Sequence, residues 1–132
     1  MKTIETKPVK KAYPTIVPYL MVEGAAKLMD FLKHAFNAEE VQCQLMPDGA
    51  VTHAEMRIGD SMVMVSDAKA EYPAMPTMIF MYLDDCDKYY EQALEAGATS
   101  IREPNNEEYG DRMSGVRDFA GNQWWIASAI NK

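Results

Sequence analysis

The amino-acid sequence predicts an α+β protein made of two tandem modules, each with the order strand, helix, strand, strand, strand. Two observations support this prediction. A strand-turn-strand pattern around Gly59 recurs around Gly121, 62 residues later. A strand and an amphipathic helix precede each of these patterns, and the residues expected to end the two helices, Asn37 and Gly97, are 60 residues apart. Several markers at a similar spacing indicate a duplicated unit.

This repeat sets the predicted domain organisation. We expect an N-terminal arm over residues 1–14 and a single domain over residues 15–129. Within the domain, the first module covers residues 15–66, a crossover with two prolines covers 67–76, and the second module covers 77–129. A chain of 132 residues with 48% apolar residues is large enough to bury one shared core.

In the first module, apolar residues alternate in the predicted strands and recur at helical spacing between Gly24 and Phe36. Asn37 follows this helix, and asparagine tolerates the left-handed conformation that ends many helices. The predicted elements are strand Thr15–Val22, helix Gly24–Phe36, strand Glu39–Met46, and a hairpin of Ala50–Ile58 with Met62–Ser66.

The second module repeats this plan. Asp84 and Asp85 can accept hydrogen bonds at the start of its helix. The last strand carries both tryptophans, Trp124 and Trp125, and adjacent residues of a strand point to opposite faces of the sheet. We therefore expect Trp124 to pack against a helix and Trp125 to face the other way. The predicted elements are strand Thr77–Leu83, helix Asp87–Ala96, strand 99–102, loop Glu103–Arg112, and a two-strand unit Arg112–Ser128.

Composition narrows the possible partners. The net charge is −7 and the isoelectric point is about 4.8, which argues against binding to nucleic acid or to an anionic membrane. No apolar run approaches the length of a membrane span, and the N-terminus lacks a hydrophobic signal core, so a soluble cytoplasmic protein is expected. Cys43 and Cys86 have no metal-ligand spacing and are interpreted as reduced structural thiols.

Three stretches resemble one protein family: PYLMVEGAAKLMDFLKHAFNAEE, MPDGAVTHAEMRIGDSMVMVSD and YGDRMSGVRDFAGNQWW. They resemble the vicinal oxygen chelate superfamily, which includes glyoxalase I, extradiol dioxygenases and bleomycin-resistance proteins, and within it the PhnB-like branch. The resemblance implies that the two βαβββ modules form a cupped eight-stranded mixed sheet with helices on its convex face. It also implies a homodimer. We call the side of the sheet turned away from the helices the cup face.

Metalloenzymes of this superfamily hold a divalent ion with His, Glu or Gln side chains from the first and last strands of each module. By resemblance, those positions fall on Val17, Val63, Met78 and Trp125 in this chain. None of these side chains provides the imidazole or carboxylate that such cations need. The prediction is therefore a protein without a metal site and without a cofactor.

Strand alternation predicts which residues line the cup face. If Met62 and Met64 pack on the helices, Val63 and Val65 face the cup, together with apolar and aromatic residues of the other strands. A few polar groups over an aromatic floor are typical of a small-molecule site. The predicted ligand-binding residues are Tyr19, Arg57, Phe80, Tyr82, Arg112, Arg117, Gln123 and Trp125.

His53 and Glu55 are the candidate catalytic residues. They lie two residues apart on a predicted strand and share a face, close enough for a proton relay or a common ligand. The alternative interpretation is that they form a solvated or salt-bridged row with Arg57. Arg117 is expected to be the second-module counterpart of Glu55.

Two further charged residues have simpler interpretations. His34 lies within the first helix beside Lys33 and is interpreted as a surface residue. Arg112 either reaches a ligand anion from the rim of the cup or fixes its own loop through hydrogen bonds.

Two functions of different classes follow. The first is a protein that binds an aromatic or amphipathic small molecule in the cup, as bleomycin-resistance members do. The second is a lyase or a dioxygenase-type enzyme with a displaced metal or an acid-base site at His53 and Glu55. In either case the expected partners are a small molecule and a second copy of the chain.

Overall fold

The computed structural model describes residues 13–130 and confirms the α+β fold with eight strands and two helices. The order of elements repeats once, as the sequence predicts. The elements are β1 (Tyr19–Val22), α1 (Ala25–Phe36), β2 (Glu39–Leu45), β3 (Val51–Ile58), β4 (Ser61–Asp67), β5 (Met78–Tyr82), α2 (Cys86–Glu95), β6 (Thr99–Asn106), β7 (Asp111–Arg117) and β8 (Gln123–Ala129).

The eight strands form two mixed sheets of four strands each. The strand order is β1-β4-β3-β2 in the first sheet and β5-β8-β7-β6 in the second. In each sheet the first and last strands of the module pair in parallel, and the remaining neighbours pair antiparallel. The first strand of each module, β1 or β5, is therefore an edge strand.

The two helices join the modules. Helix α1 packs against the first sheet, α2 packs against the second, and the helices pack against each other. One apolar cluster runs through both halves and includes Leu28 and Leu32 of α1, Tyr90 of α2, and Ile126 of β8. The division into modules at residues 15–66 and 77–129 stays a prediction.

Trp124 is the largest fully buried side chain and links the modules. Its indole lies 5.5 Å from the ring of Phe36 in α1, measured between ring centroids. Its Nε1 donates a hydrogen bond of 2.8 Å to Oδ2 of Asp118, whose side chain is itself buried. The structure therefore places Trp124 on the helix side of the sheet, as predicted.

The predicted helix ends are also present. Asn37 ends α1 in the left-handed conformation, with φ of 55°. The carboxylate of Asp85 accepts a hydrogen bond from the backbone N–H of Lys88 and so caps α2.

Two predicted boundaries are wrong for reasons that involve proline and an edge strand. The first strand begins at Tyr19 rather than Thr15, because Pro18 has no N–H to donate to a neighbouring strand. The predicted loop Glu103–Arg112 is shorter, because β6 continues to Asn106 and β7 begins at Asp111. Pro104 is tolerated in β6 because β6 is an edge strand whose register shifts between Arg102 and Asn105.

The predicted faces of β4 are also wrong. Val63 and Val65 lie in the buried core, whereas Met64 pairs with Glu55 of β3 and with Tyr19 of β1 on the cup face. The assignment of faces is wrong because the last turns of the two modules differ in length. Four residues separate the paired Arg57 and Met62, but five separate the paired Arg117 and Gln123.

The extra residue changes the internal equivalences. Trp125 of β8 corresponds to Met64, not to Val63, because Trp125 pairs with Phe80 of β5 and with Gly115 of β7. The counterpart of Glu55 is accordingly Gly115, and Arg117 is the counterpart of Arg57.

Two further sequence predictions concern the N-terminal arm and membrane-spanning helices. Residues 1–12 of the predicted arm lie outside the described residues. None of the described helices is long and apolar enough to cross a membrane.

The different burial of the two tryptophans predicts different costs of truncation. Trp124→Ala should lower the free energy of unfolding by roughly 3 to 5 kcal/mol, because it empties a closed site in the core. Trp125→Ala should cost clearly less, because its ring is only partly buried. Denaturant melts of the two variants test this, and the assignment of faces fails if Trp125→Ala is the more destabilising.

Candidate functional site

The cup face of the second sheet carries an exposed aromatic surface. Phe80 and Tyr82 alternate along β5 with 46% and 73% of their surfaces exposed, and their ring centroids lie 5.2 Å apart. Trp125 lies beside Phe80 on the neighbouring strand β8. We call Phe80, Tyr82 and Trp125 the aromatic surface. It offers flat rings to a ligand or to another protein chain.

Trp125 lies flat across the sheet because Gly115 has no side chain. A Cβ atom at Gly115 would be 2.7 Å from Cε3 of the Trp125 ring, closer than real Cβ atoms approach other atoms. The indole Nε1 donates to Oε1 of Gln123 on the same strand at 3.1 Å. The space left by Gly115 and the hydrogen bond to Gln123 together hold the Trp125 ring against the sheet.

The cup face of the first sheet is polar where the second is aromatic. His53 Nε2 lies 2.9 Å from Oε2 of Glu55, and His53 Nδ1 lies 2.9 Å from the hydroxyl of Tyr19. The structure thus brings the two candidate catalytic residues together and adds Tyr19 as a third member. We call Tyr19, His53 and Glu55 the polar chain.

Glu55 is the buried end of the polar chain, with only 2% of its surface exposed. The hydroxyl of Tyr13 donates to Oε1 of Glu55, and the side-chain amide of Gln42 donates to Oε2 at 3.3 Å. A buried carboxylate is stable when several donors surround it. The buried oxygens of Glu55 thus have hydrogen-bond donors on both sides.

Two cavities adjoin these surfaces. The first, of about 390 Å³, is lined by Tyr19, Met21 and Ser66 of the first sheet and by Lys69, Tyr72 and Met75 of the crossover. We call it the crossover cavity. The second, of about 480 Å³, lies between the modules and is lined mainly by apolar residues, among them Ile16, Met62, Ile79, Leu83 and Trp124.

Arg112 lies on the opposite side of its sheet from the aromatic surface. Its guanidinium pairs with the carboxylate of Asp87 in α2, at 2.5 Å from Nε and 3.0 Å from the second nitrogen, and a third donor reaches Asn106. Hydrogen bonding to Arg112 lowers the pKa of Asp87. These contacts match the structural interpretation of Arg112, which ties β7 to α2.

The other two predicted arginines lie at equivalent positions on the cup faces. Arg57 pairs with Met62, and Arg117 pairs with Gln123. Within residues 13–130 neither arginine forms a salt bridge, so of the predicted row of His53, Glu55 and Arg57 only the first two are joined, by a hydrogen bond. The ligand-binding roles of all eight predicted residues stay predictions.

The positions carried over from metalloenzymes are spread over different environments. Val17 precedes β1, Val63 is in the core, Met78 is 66% exposed at the start of β5, and Trp125 is in the aromatic surface. Across the part of the chain that the structure describes, no three His, Cys, Asp or Glu side chains are grouped closely enough to hold a metal ion.

Cys43 and Cys86 are free thiols, as expected. Cys86 is buried at the start of α2, where its Sγ lies 3.3 Å from the hydroxyl of Ser114. Burial raises the pKa of the Cys86 thiol, so it is a poor nucleophile.

Sequence reasoning missed Tyr13, Gln42, Lys69 and Gly115. A glycine within the strand pattern around Met113 and Val116 was an available signal, because glycine in a strand often marks the close approach of another group. The others come from separate segments: Tyr13 precedes β1, Gln42 lies on β2 at the edge of the first sheet, and Lys69 lies in the crossover. That arrangement leaves no local pattern in the sequence.

Two comparisons of the sequence with known proteins give matches over most of the chain. The model of the Glyoxalase/Bleomycin resistance protein/Dioxygenase superfamily matches residues 14–126. An uncharacterized protein of Mycobacterium bovis is 32% identical over 130 residues, which cover 90% of this chain and 86% of that protein.

Solved structures share the fold. The crystal structure of TioX from Micromonospora superposes with a TM-score of 0.76 at 21% identity, covering 87% of this chain and 98% of TioX. A PhnB protein from Bacillus cereus, described as a putative 3-demethylubiquinone-9 3-methyltransferase, gives a TM-score of 0.69 at 16% identity, covering 88% of this chain and all of that one.

The contact of Trp125 with Gly115 predicts a specific effect of a single methyl group. Gly115→Ala should displace the indole and alter the near-ultraviolet circular dichroism, at a cost of about 1 to 3 kcal/mol in the free energy of unfolding. In a Trp125→Ala background the same change should cost little, because the obstructing ring is gone. Equal costs in the two backgrounds would show that the contact is not responsible.

Proposed function

The chain belongs to the Glyoxalase/Bleomycin resistance protein/Dioxygenase superfamily, and from this premise we propose that it binds an aromatic or amphipathic small molecule on its cup face without the usual metal site. The observation that carries this proposal is the aromatic surface of Phe80, Tyr82 and Trp125. Large exposed rings next to one another are costly to leave in water, so such surfaces commonly mark a binding site.

The chemistry of the rest of the site supports a small ligand. The aromatic surface offers stacking, while Gln123 and Arg117 at its border offer hydrogen-bond donors. The net charge of −7 disfavours nucleic acid and anionic membranes as partners. No cofactor is proposed, because the carried-over positions Val17, Val63, Met78 and Trp125 offer no imidazole or carboxylate, and neither does Met64, the actual counterpart of Trp125.

A second copy of the chain is the proposed protein partner. Met78, Phe80 and Tyr82 lie on β5, an edge strand with unpaired backbone groups, and all three are strongly exposed. A symmetric partner would cover this edge and supply the missing wall of the cup. Placement in the PhnB-like branch is also part of the proposal and rests on the sequence strings around Pro18, Met46 and Tyr109 and on the likeness to the Bacillus cereus protein.

A second candidate function is an acid-base enzyme of the lyase or dioxygenase type. The hydrogen bond between His53 and Glu55 favours it, because a histidine oriented by a buried carboxylate is a common general base. This candidate differs from the first in requiring turnover of the ligand.

Ligand binding is testable with aromatic compounds and a pair of variants. A thermal-shift screen should find aromatic ligands that raise the melting temperature of the wild-type protein. Trp125→Ala should weaken their binding by roughly tenfold through lost stacking. Phe119→Ala is the control, because Phe119 is also exposed but lies under Lys27 on the helix side. Binding that is unchanged in Trp125→Ala would exclude the aromatic surface as the site.

The proposed dimer predicts a second pair of variants. Light scattering at tens of micromolar should give the mass of two chains for the wild-type protein. Phe80→Asp should yield monomers, because it places a charge in the middle of the covered face. Phe119→Asp should remain dimeric. A monomeric wild-type protein would contradict the proposal directly.

A further inference from the structure

We propose that the hydroxyl of Tyr19 accepts a proton from the ligand, and that the ligand is an aromatic compound with a weakly acidic hydroxyl group that binds as its anion. This inference rests on the proposed small-molecule function and names the chemical class of the ligand. It follows from the polar chain, from the crossover cavity next to it, and from the position of Lys69.

The direction of the hydrogen bonds in the polar chain is set at Glu55. A carboxylate only accepts hydrogen bonds, and the neighbours of Glu55 include two donors, the hydroxyl of Tyr13 and the amide of Gln42. The Nε2 atom of His53, 2.9 Å away, must therefore also donate to Glu55. In the neutral imidazole, Nδ1 is then an acceptor.

This arrangement turns the oxygen of Tyr19 into an acceptor toward the ligand. The hydroxyl of Tyr19 lies 2.9 Å from Nδ1 of His53, so its proton is directed to that nitrogen. The lone pairs that remain on the oxygen are free to accept a hydrogen bond from a ligand. A ligand that donates there carries an O–H or N–H group.

Two coupled proton movements follow when such a ligand binds. The ligand hydroxyl gives its proton to the oxygen of Tyr19, and Tyr19 gives its own proton to Nδ1 of His53. The products are the ligand anion and an imidazolium that pairs with the carboxylate of Glu55. No electron is transferred, and no co-reactant is needed. Nε2 of the imidazolium keeps its hydrogen bond to the carboxylate of Glu55, 2.9 Å away.

The crossover cavity has the character that such an anion needs. Tyr19 lines it together with Tyr72, Met75 and Lys69, whose side chain ends in an amine. A cation stabilises a negative oxygen, and the tyrosine and methionine side chains offer contact to a ring. Beside the polar chain lie Gln42 and Gln44 on β2 and Met64 on β4, which are uncharged, and Arg57, two residues beyond Glu55 on the same face of β3.

The polar chain and the crossover cavity together favour an aromatic hydroxyl compound as the ligand. An aliphatic alcohol is too weakly acidic to give its proton to imidazole, whereas an acidic phenol is not. A carboxylic acid is ionised before it binds and would have no proton for Tyr19 to accept. Tyr72 and Met75 of the crossover cavity supply the second reason, because their side chains offer contact to a flat ring.

The experiment uses 4-nitrophenol, whose neutral and ionised forms absorb at different wavelengths, and 4-nitroanisole, its methyl ether, which has no acidic hydroxyl. Both are titrated into the full chain at a pH where free 4-nitrophenol is mostly protonated. We expect the wild-type protein to bind 4-nitrophenol roughly tenfold more tightly than 4-nitroanisole and to increase the absorbance of the phenolate.

Three variants test the parts of the relay. Tyr19→Phe removes one oxygen from a side chain that is 45% exposed, so the fold should persist while the phenolate absorbance is lost. His53→Gln should permit binding of the neutral phenol without ionisation. Lys69→Gln should weaken binding of 4-nitrophenol but leave that of 4-nitroanisole unchanged.

The other histidine provides the control. His34 lies on the exposed side of α1, where its Nδ1 contacts the backbone oxygen of Asp30. His34→Gln should therefore bind and ionise 4-nitrophenol as the wild-type protein does. Thermal melts of all four variants establish that each is folded.

The outcomes separate this inference from the proposed function. Equal binding of the two probes with no phenolate absorbance would overturn the relay and leave small-molecule binding intact. Ionisation that persists in His53→Gln would also overturn it. Failure of the wild-type protein to bind either probe would count against both the relay and the proposed aromatic site.

Discussion

The hydrogen bond from the indole of Trp124 to the buried carboxylate of Asp118 is the interaction on which the arrangement of the two modules depends. Asp118 accepts from the backbone of Ala120, from the backbone and side chain of Asn122, and from Trp124. Asn122 in turn accepts from the backbone of Thr77, immediately before β5. One buried charge, satisfied by several donors, thus fixes the last turn, the first strand of its module, and the ring that packs on α1.

This constraint also determines where the site lies. Because Trp124 is held inward, its neighbour Trp125 must face outward, and the parallel pairing of β8 with β5 brings Phe80 beside it. The same row of the first sheet contains Tyr19, Met64 and Glu55 instead. Two modules of one design therefore present different chemistry on their cup faces, rings in one and a hydrogen-bonded chain in the other.

The sequence was sufficient where the determinants are local. The helix ends at Asn37 and Asp85, the opposite orientations of the two tryptophans, and the proximity of His53 and Glu55 all follow from spacing within a single element. The faces of β4 were mispredicted because the glycine-containing turns differ by one residue in length, and a shift of one residue reverses every side chain of a strand. Tyr13, Gln42 and Lys69 reach the site from other segments, and the pairing of Arg112 with Asp87 joins residues 25 positions apart, so neither could be derived from local pattern.

The difference between Glu55 and Gly115 limits which substitutions the chain can accept during evolution. Glu55 and Gly115 occupy equivalent positions in the two modules. Glu55 pairs with Met64 on the neighbouring strand, whereas Gly115 pairs with Trp125, whose ring fills the space that a side chain at Gly115 would need. The glycine can acquire a larger side chain without a clash only after the tryptophan has been replaced by something smaller. Trp125 should therefore be replaced before Gly115 is. Relatives that keep the aromatic surface should conserve glycine at position 115 and tryptophan at position 125 together.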